Sequence, residues 1–99
     1  MFNNADKHTF LNSIVIEGKI YSIKEFKDVN NENYCILRLK VTNTHKGRIT
    51  DVNLLDCYAY KKCYETIINE YAKNDIIRVT GKIQKRNTKD WTLKVFKIN

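Results

Sequence analysis

The chain has 99 residues, 42% of them hydrophobic and 29% charged, which suits one modest globular core and leaves no room for two. Eighteen Lys and Arg outweigh eleven Asp and Glu, for a net charge of +7 and a pI near 9.4, so a polyanion is the first partner to consider. No apolar run approaches the roughly 20 residues of a membrane helix, and Met1 to Lys7 has no signal-peptide core, so a cytoplasmic protein away from membranes is expected.

The basic charge has two explanations, and both stay open. Lys and Asn together make up about a quarter of the chain, a bias that an AT-rich genome produces without selection for binding. Where the cations stand therefore matters more than their sum. Cys35, Cys57 and Cys63 form no CxxC pair, and His8 and His45 stand apart from them and from each other. These read as structural thiols, with no metal site and no cofactor expected.

Residues 1–9 read as a flexible lead-in to one domain over residues 10–99. From Phe10 the first strand places Ile14, Ile16, Gly18 and Ile20 on one side, and Gly18 marks a bulge or sharp bend. Ile23 and Phe26 continue it raggedly. Lys27 to Asn33 is a polar turn with Asn30 and Asn31 at its tip, since Asn tolerates positive φ. A second strand, Tyr34 to Asn43, turns Cys35, Leu37, Leu39 and Val41 inwards and Tyr34, Ile36, Arg38, Lys40 and Thr42 outwards. A loop over Thr44 to Arg48, with Gly47 as its turn residue, leads to a third strand, Ile49 to Tyr60. There Leu55, Cys57 and Ala59 suit a core, while Leu54, Asp56, Tyr58 and Tyr60 share the other face.

Lys62 to Lys73 carries Tyr64, Ile67, Ile68 and Tyr71 at helical spacing, an apolar stripe for packing on a sheet. Glu65 and Lys73 suit the two ends of the helix dipole, and Asn74 is a left-handed stop. Strand four, Asp75 to Arg86, has Ile77, Val79, Gly81 and Ile83 inside. Asn87 to Asp90 turns into strand five, from Trp91 to the end, whose facing is ambiguous.

Three strands, one helix and two strands, with glycines inside strands one and four, predict an all-β, five-stranded Greek-key barrel with its helix between strands three and four: the OB-fold. A ferredoxin-like fold needs a helix after its first strand, and an SH3-like barrel leaves the amphipathic helix unexplained.

Three blocks then resemble the bacterial single-stranded DNA-binding protein family. Asn12-Ser-Ile-Val-Ile-Glu-Gly18-Lys-Ile20 is similar to its opening strand. Leu54-Leu-Asp-Cys-Tyr-Ala-Tyr60-Lys-Lys62 is similar to the strand before its helix. Tyr71 with Lys73-Asn-Asp-Ile-Ile-Arg-Val-Thr-Gly81-Lys-Ile-Gln-Lys-Arg86 is similar to its helix end and fourth strand. The resemblance implies an OB-fold that binds single-stranded DNA without catalysis, in replication, recombination or repair. It places Tyr60 at a base-stacking aromatic and Lys61, Lys62, Lys82, Lys85 and Arg86 at backbone-contacting cations. Strand one around Val15 falls where members pair into homodimers, and Ile76 and Arg78 fall near the surface by which some dimers become homotetramers.

Departures from the family pattern are specific. Leu54 stands where some members carry a stacking tryptophan. Thr88 falls near another, for which Trp91 is the substitute. Asp56 puts an anion on the supposed binding face, and the loops before strand three and after Arg86 are short. The chain stops at Asn99, without the acidic-tipped tail by which members recruit replication proteins, as in a core fragment or a tailless, PriB-like relative.

The candidate site is therefore Tyr60 and Tyr58 for bases, with Tyr21 and Tyr34 as possible extensions, and Trp91 as either base contact or core. Arg38, Lys40, Lys61, Lys62, Lys82, Lys85 and Arg86 supply the cations. For the tyrosines, burial in the sheet or an oligomer interface is the competing reading. No catalytic set is present: no Ser-His-Asp, carboxylate pair, HExxH or glycine-rich phosphate loop. Two functions compete, a single-stranded DNA binder and an adaptor that docks on a replication or recombination enzyme and binds DNA weakly. RNA is not distinguished from DNA.

Overall fold

The structure, a computed structural model, describes residues 13–85 and 90–99. The expectations for the lead-in and first strand up to Asn12, and for Arg86 and the turn after it, lie outside those residues. Five strands, β1 (Ile14–Lys27), β2 (Asn33–His45), β3 (Arg48–Tyr60), β4 (Ile76–Lys85) and β5 (Trp91–Ile98), close a barrel in the order β1-β2-β3-β5-β4. Helix α1 (Lys61–Glu70) stands between β3 and β4. This is the predicted OB architecture. No helix among the described residues is long and apolar enough to cross a membrane.

The barrel closes because β1 serves two partners. Its first half pairs antiparallel with β4, Ile14 opposite Gly81 through Lys19 opposite Ile76, and its second half pairs with β2, Lys19 opposite Lys40 through Lys27 opposite Asn33. Gly18 sits at that hand-over, where an added Cβ would lie 2.9 Å from the Lys40 carbonyl oxygen. The bulge itself falls three residues later, at Tyr21, between the pairs made by Ile20 and Ser22. It flips the alternation: Ile20 points in before it and Ile23 packs on the core after it. Phe26 therefore faces out, which explains why the sequence looked ragged there.

Gly81 matters more. An added Cβ there would press on the Lys94 carbonyl and stand 2.8 Å from Leu93 Cγ, so β4 and β5 can approach only over a bare α-carbon. The register shift of that pair lies at the same place, between Thr80 and Gly81.

Ile20, Cys35, Leu37, Leu39, Cys57, Ala59, Ile67, Ile77, Val79, Leu93 and Val95 form the buried core. The facing of β5 is now settled: Leu93 and Val95 point inwards, Phe96 is exposed, and Trp91 is 59% exposed, which removes it from the core. The β2–β3 loop is tighter than expected. Lys46 (φ 53°) and Gly47 (φ 78°) form a two-residue turn of the twisted-hairpin kind, and the strands run right up to it.

The helix is shorter than predicted, Lys61–Glu70 rather than Lys62–Lys73, and its first and last turns hold no acidic or basic residue, respectively. The dipole roles expected of Glu65 and Lys73 are therefore not realised. Ile67 is buried and Tyr64, Ile68 and Tyr71 pack beside it, as the stripe predicted. Asn74 does adopt positive φ (78°), in a turn where Asp75 N–H donates to Ala72 O, beyond the extended C-cap at Tyr71. Asn31 (φ 64°) likewise tips the β1–β2 turn. There the Asp28 carboxylate accepts from the N–H groups of Asn30 and Glu32 at 2.9 Å each.

Candidate nucleic-acid interface

Antiparallel register places the outward side chains of β2 and β3 in rows: Tyr34 opposite Tyr60, Ile36 opposite Tyr58, Arg38 opposite Asp56, and Lys40 opposite Leu54. On the β1 side, Phe26, Lys24, Ser22 and Lys19 extend these rows. On the β5 side, Lys94 adjoins Tyr58 and pairs with Lys82 of β4. One outer face thus runs from β1 across to β4.

Its aromatic end is a row of rings. Tyr34 lies 5.5 Å from Phe26, 5.2 Å from Tyr60 and 6.3 Å from Tyr58 between centroids, with interplanar angles of 25°, 23° and 16°. The rings are half-buried to exposed, so their packing against one another fixes their planes while leaving ring surface for solvent or ligand. The Lys94 ammonium stands 5.7 Å from the Tyr60 ring centroid. Directly after Tyr60, Lys61 takes φ 51° and starts the helix, with Tyr60 as an extended N-cap. That abrupt switch sets Lys61 and Lys62, both exposed, beside the last ring. A groove of about 750 Å³ opens there, lined by Tyr60, Lys61, Lys62, Lys94, Asn31 and Phe96 among others.

The middle of the face is different. Arg38 Nε donates to Asp56 Oδ1 at 2.7 Å and Arg38 Nη2 to Oδ2 at 3.2 Å, a two-pronged pair with the side chains 44% and 30% exposed. The carboxylate holds the guanidinium firmly in its charged form. Asp56 is thus not a bare anion on the face, and Arg38 is not an uncommitted cation.

The expected residues fall into three groups. Tyr58, Tyr60, Lys61 and Lys62 come together at the aromatic end, and Tyr34 joins them as its central ring. Arg38, Lys40 and Lys82 occupy the same face, Arg38 engaged with Asp56 and the two lysines exposed. Lys85 and Trp91 form a separate pair at the tip of β4–β5, ammonium 4.9 Å from the ring. Arg86 lies outside the described residues. Tyr21, exposed, is the bulged residue rather than part of the row. Five members of the face were not among the expected residues: Phe26, Lys24, Ser22 and Lys19 of β1, and Lys94 of β5. Lys94 was hidden by the ambiguous facing of β5, and Phe26 by the bulge; tracing the 35–36 and 57–58 alternation across to β1 is the signal that finds Phe26.

The thiols of Cys35 and Cys57 are buried in the core beneath the outer face, and Cys63 is half-buried on the helix. Burial pushes Cys57 up to about 12 and Cys35 up to about 11, and raises Cys63 as well. Among the described residues no three His, Cys, Asp or Glu side chains gather around a possible ion position.

Known proteins share this fold. The fold is similar to that of a small single-stranded DNA-binding protein from Streptomyces coelicolor (TM-score 0.78, 16% identity, 92% of this chain and 94% of that one). It is similar to a mitochondrial single-stranded DNA-binding protein of S. cerevisiae (TM-score 0.74, 18% identity, 92% and 94%). A small single-stranded DNA-binding protein from Mycoplasma pneumoniae also matches (TM-score 0.68, 19% identity, 91% and 93%). No curated protein matches in sequence. The model of the Single-strand binding protein family matches residues 11–97, nearly the whole length, and the chain accordingly belongs to that family.

Proposed function

We propose that this protein binds single-stranded DNA in the cytoplasm during replication, recombination or repair, without catalysing a chemical step. The observation that carries the reading is the row of Phe26, Tyr34, Tyr58 and Tyr60 in near-parallel planes on an outer barrel face, edged by Lys61, Lys62 and Lys94. Bases stack on the rings and phosphates meet the ammonium groups, a combination that needs no particular base sequence. Lys40, Lys82, Lys85 with Trp91, and Arg86 extend the track beyond the rings, and Arg38 contributes where it can leave Asp56.

Titration of labelled oligo-dT at two salt concentrations tests this. The affinity should fall by roughly 0.7 log units per log unit of salt for each phosphate neutralised. Salt-insensitive binding, or equal competition by duplex, would sink it.

The chain is further proposed to work as a homodimer or homotetramer through β1 around Val15. Val15 and Ile76 are both well exposed on the outer β1–β4 face, beside an ion pair of Glu17 with Arg78 at 3.3 Å. The pair lies between the two apolar side chains in the β1–β4 register, and a face that offers both charges and apolar surface suits a copy of itself. Light scattering should give at least a dimer for the wild type and a smaller species for Val15→Asp.

The adaptor reading keeps one specific support, the Arg38–Asp56 pair, which takes a cation away from the DNA track. If it is right, Tyr60→Ala leaves oligo-dT affinity unchanged and abolishes capture of a replication-protein partner.

A further inference from the structure

The geometry points to Asp56 as a specificity-determining residue: it makes the face choose unstacked bases over a bare phosphate backbone. This rests on the proposed single-strand reading and adds a reason for the anion at the centre of the site. Asp56 stands between Leu54 and Tyr58 on β3, directly opposite Arg38. Cations lie at both ends, Lys19 and Lys40 on one side and Lys61, Lys62 and Lys94 on the other. In between, the two-pronged pair cancels the only guanidinium on the described part of the face.

The two kinds of ligand meet that centre differently. A single strand can lay a base against it, a contact that needs no net charge, and leave its phosphates to the lysines. A duplex has its base faces stacked inwards and offers a sheet face its phosphate backbone and groove edges, with no base to lie flat against it. Any phosphate brought to the centre meets the Asp56 carboxylate and finds Arg38 already engaged. That is discrimination by a built-in repulsion rather than by added attraction. The other ion pair described, Arg78 with Glu17, shows the contrast: one bond at 3.3 Å between more exposed side chains, on a different face.

The test is Asp56→Asn, which keeps the shape and removes the charge. Oligo-dT and a duplex of equal length are titrated against the full chain, with heparin as a base-free polyanion. Duplex and heparin affinity should rise by roughly 10-fold, the worth of one released charge-assisted contact. The duplex salt slope should steepen by about 0.9 as one more phosphate is neutralised. Oligo-dT affinity should rise less, by no more than ~3-fold, so that the single-strand preference narrows. Arg38→Gln makes the opposite change, leaving the carboxylate uncompensated, and should widen that preference. Equal gains for all three ligands, or no gain for duplex in a variant that melts like the wild type, overturns the proposal while leaving oligo-dT binding intact. Wild-type protein that does not bind oligo-dT overturns the function reading as well.

Discussion

The two ends of the β2–β3 ladder carry similar charge and very different mechanics. At the Tyr34–Tyr60 end both strands belong to the closed barrel, with β1 paired on one side and β5 on the other. Beyond Lys40, β2 pairs with β3 alone among the described residues, and the two run on as a ribbon to the Lys46–Gly47 turn. A free-standing pair of strands is marginal by itself. The ribbon nevertheless presents Ile49 and Val52 to solvent, with Lys46 and Arg48 at its tip. Rings that must hold a fixed plane are found where there is a packed floor, and the free-standing end carries aliphatic side chains and cations instead. The lesson is that a stacking platform is specified as much by the buried Cys35, Cys57 and Ala59 beneath it as by the tyrosines on top.

That contrast can be broken at the floor first. Gly81→Ala pushes β5 away from β4 and should cost about 3 kcal/mol or more in denaturant unfolding, since backbone rather than a flexible side chain is in the way. A loss below about 1 kcal/mol would mean that the seam adjusts freely. Alkali should loosen the same floor. The Cys35 and Cys57 thiols sit above the ordinary value of 9.0, at about 11 and about 12, so the neutral form is the one the fold retains. Their contribution is complete below pH 9, declines as pH rises through the folded values, and is absent beyond them. Stability measured from pH 8 to 11 should decline less steeply in Cys57→Ala, even though that variant starts lower. Parallel curves would remove the thiol from the explanation.

On the surface, Tyr60→Ala should weaken oligo-dT binding by ~1–3 kcal/mol, or roughly 5- to 150-fold, with unchanged melting. The smallest effect sharpens the comparison most. Val52→Trp places a large ring on the ribbon, and should gain less than about 1 kcal/mol, because a ring without a fixed floor loses part of its stacking to ordering cost. A gain as large as the Tyr60→Ala loss would show that the floor is irrelevant.

Much of this is legible in the sequence. Strand alternation in 34–41 and 54–60 placed both faces correctly, and the spacing of Tyr64, Ile67, Ile68 and Tyr71 identified the buried side of the helix. What escaped had local causes. The bulge at Tyr21 inverted the facing of Phe26, and both faces of β5 carry large apolar residues, so periodicity could not place Lys94 or Trp91. The Asp56–Arg38 contact needed cross-strand register, which no single strand encodes. The helix ends at Glu70 because Tyr71 turns extended, its N–H making the last helical bond, to Ile67 O.

The parallel seam between β3 and β5 has a consequence for motion. Among the described residues it consists of Cys57 beside Leu93 and Tyr58 beside Lys94, far shorter than the antiparallel ladders around the rest of the barrel. A ladder this short is where transient opening starts, so amides on both sides should exchange with solvent before those of β1 and β2. Tyr58 and Lys94 stand on opposite banks of that seam. A strand of DNA touching both would act as a suture, and its binding would be recorded as slowed exchange along β5 rather than only at the residues it covers.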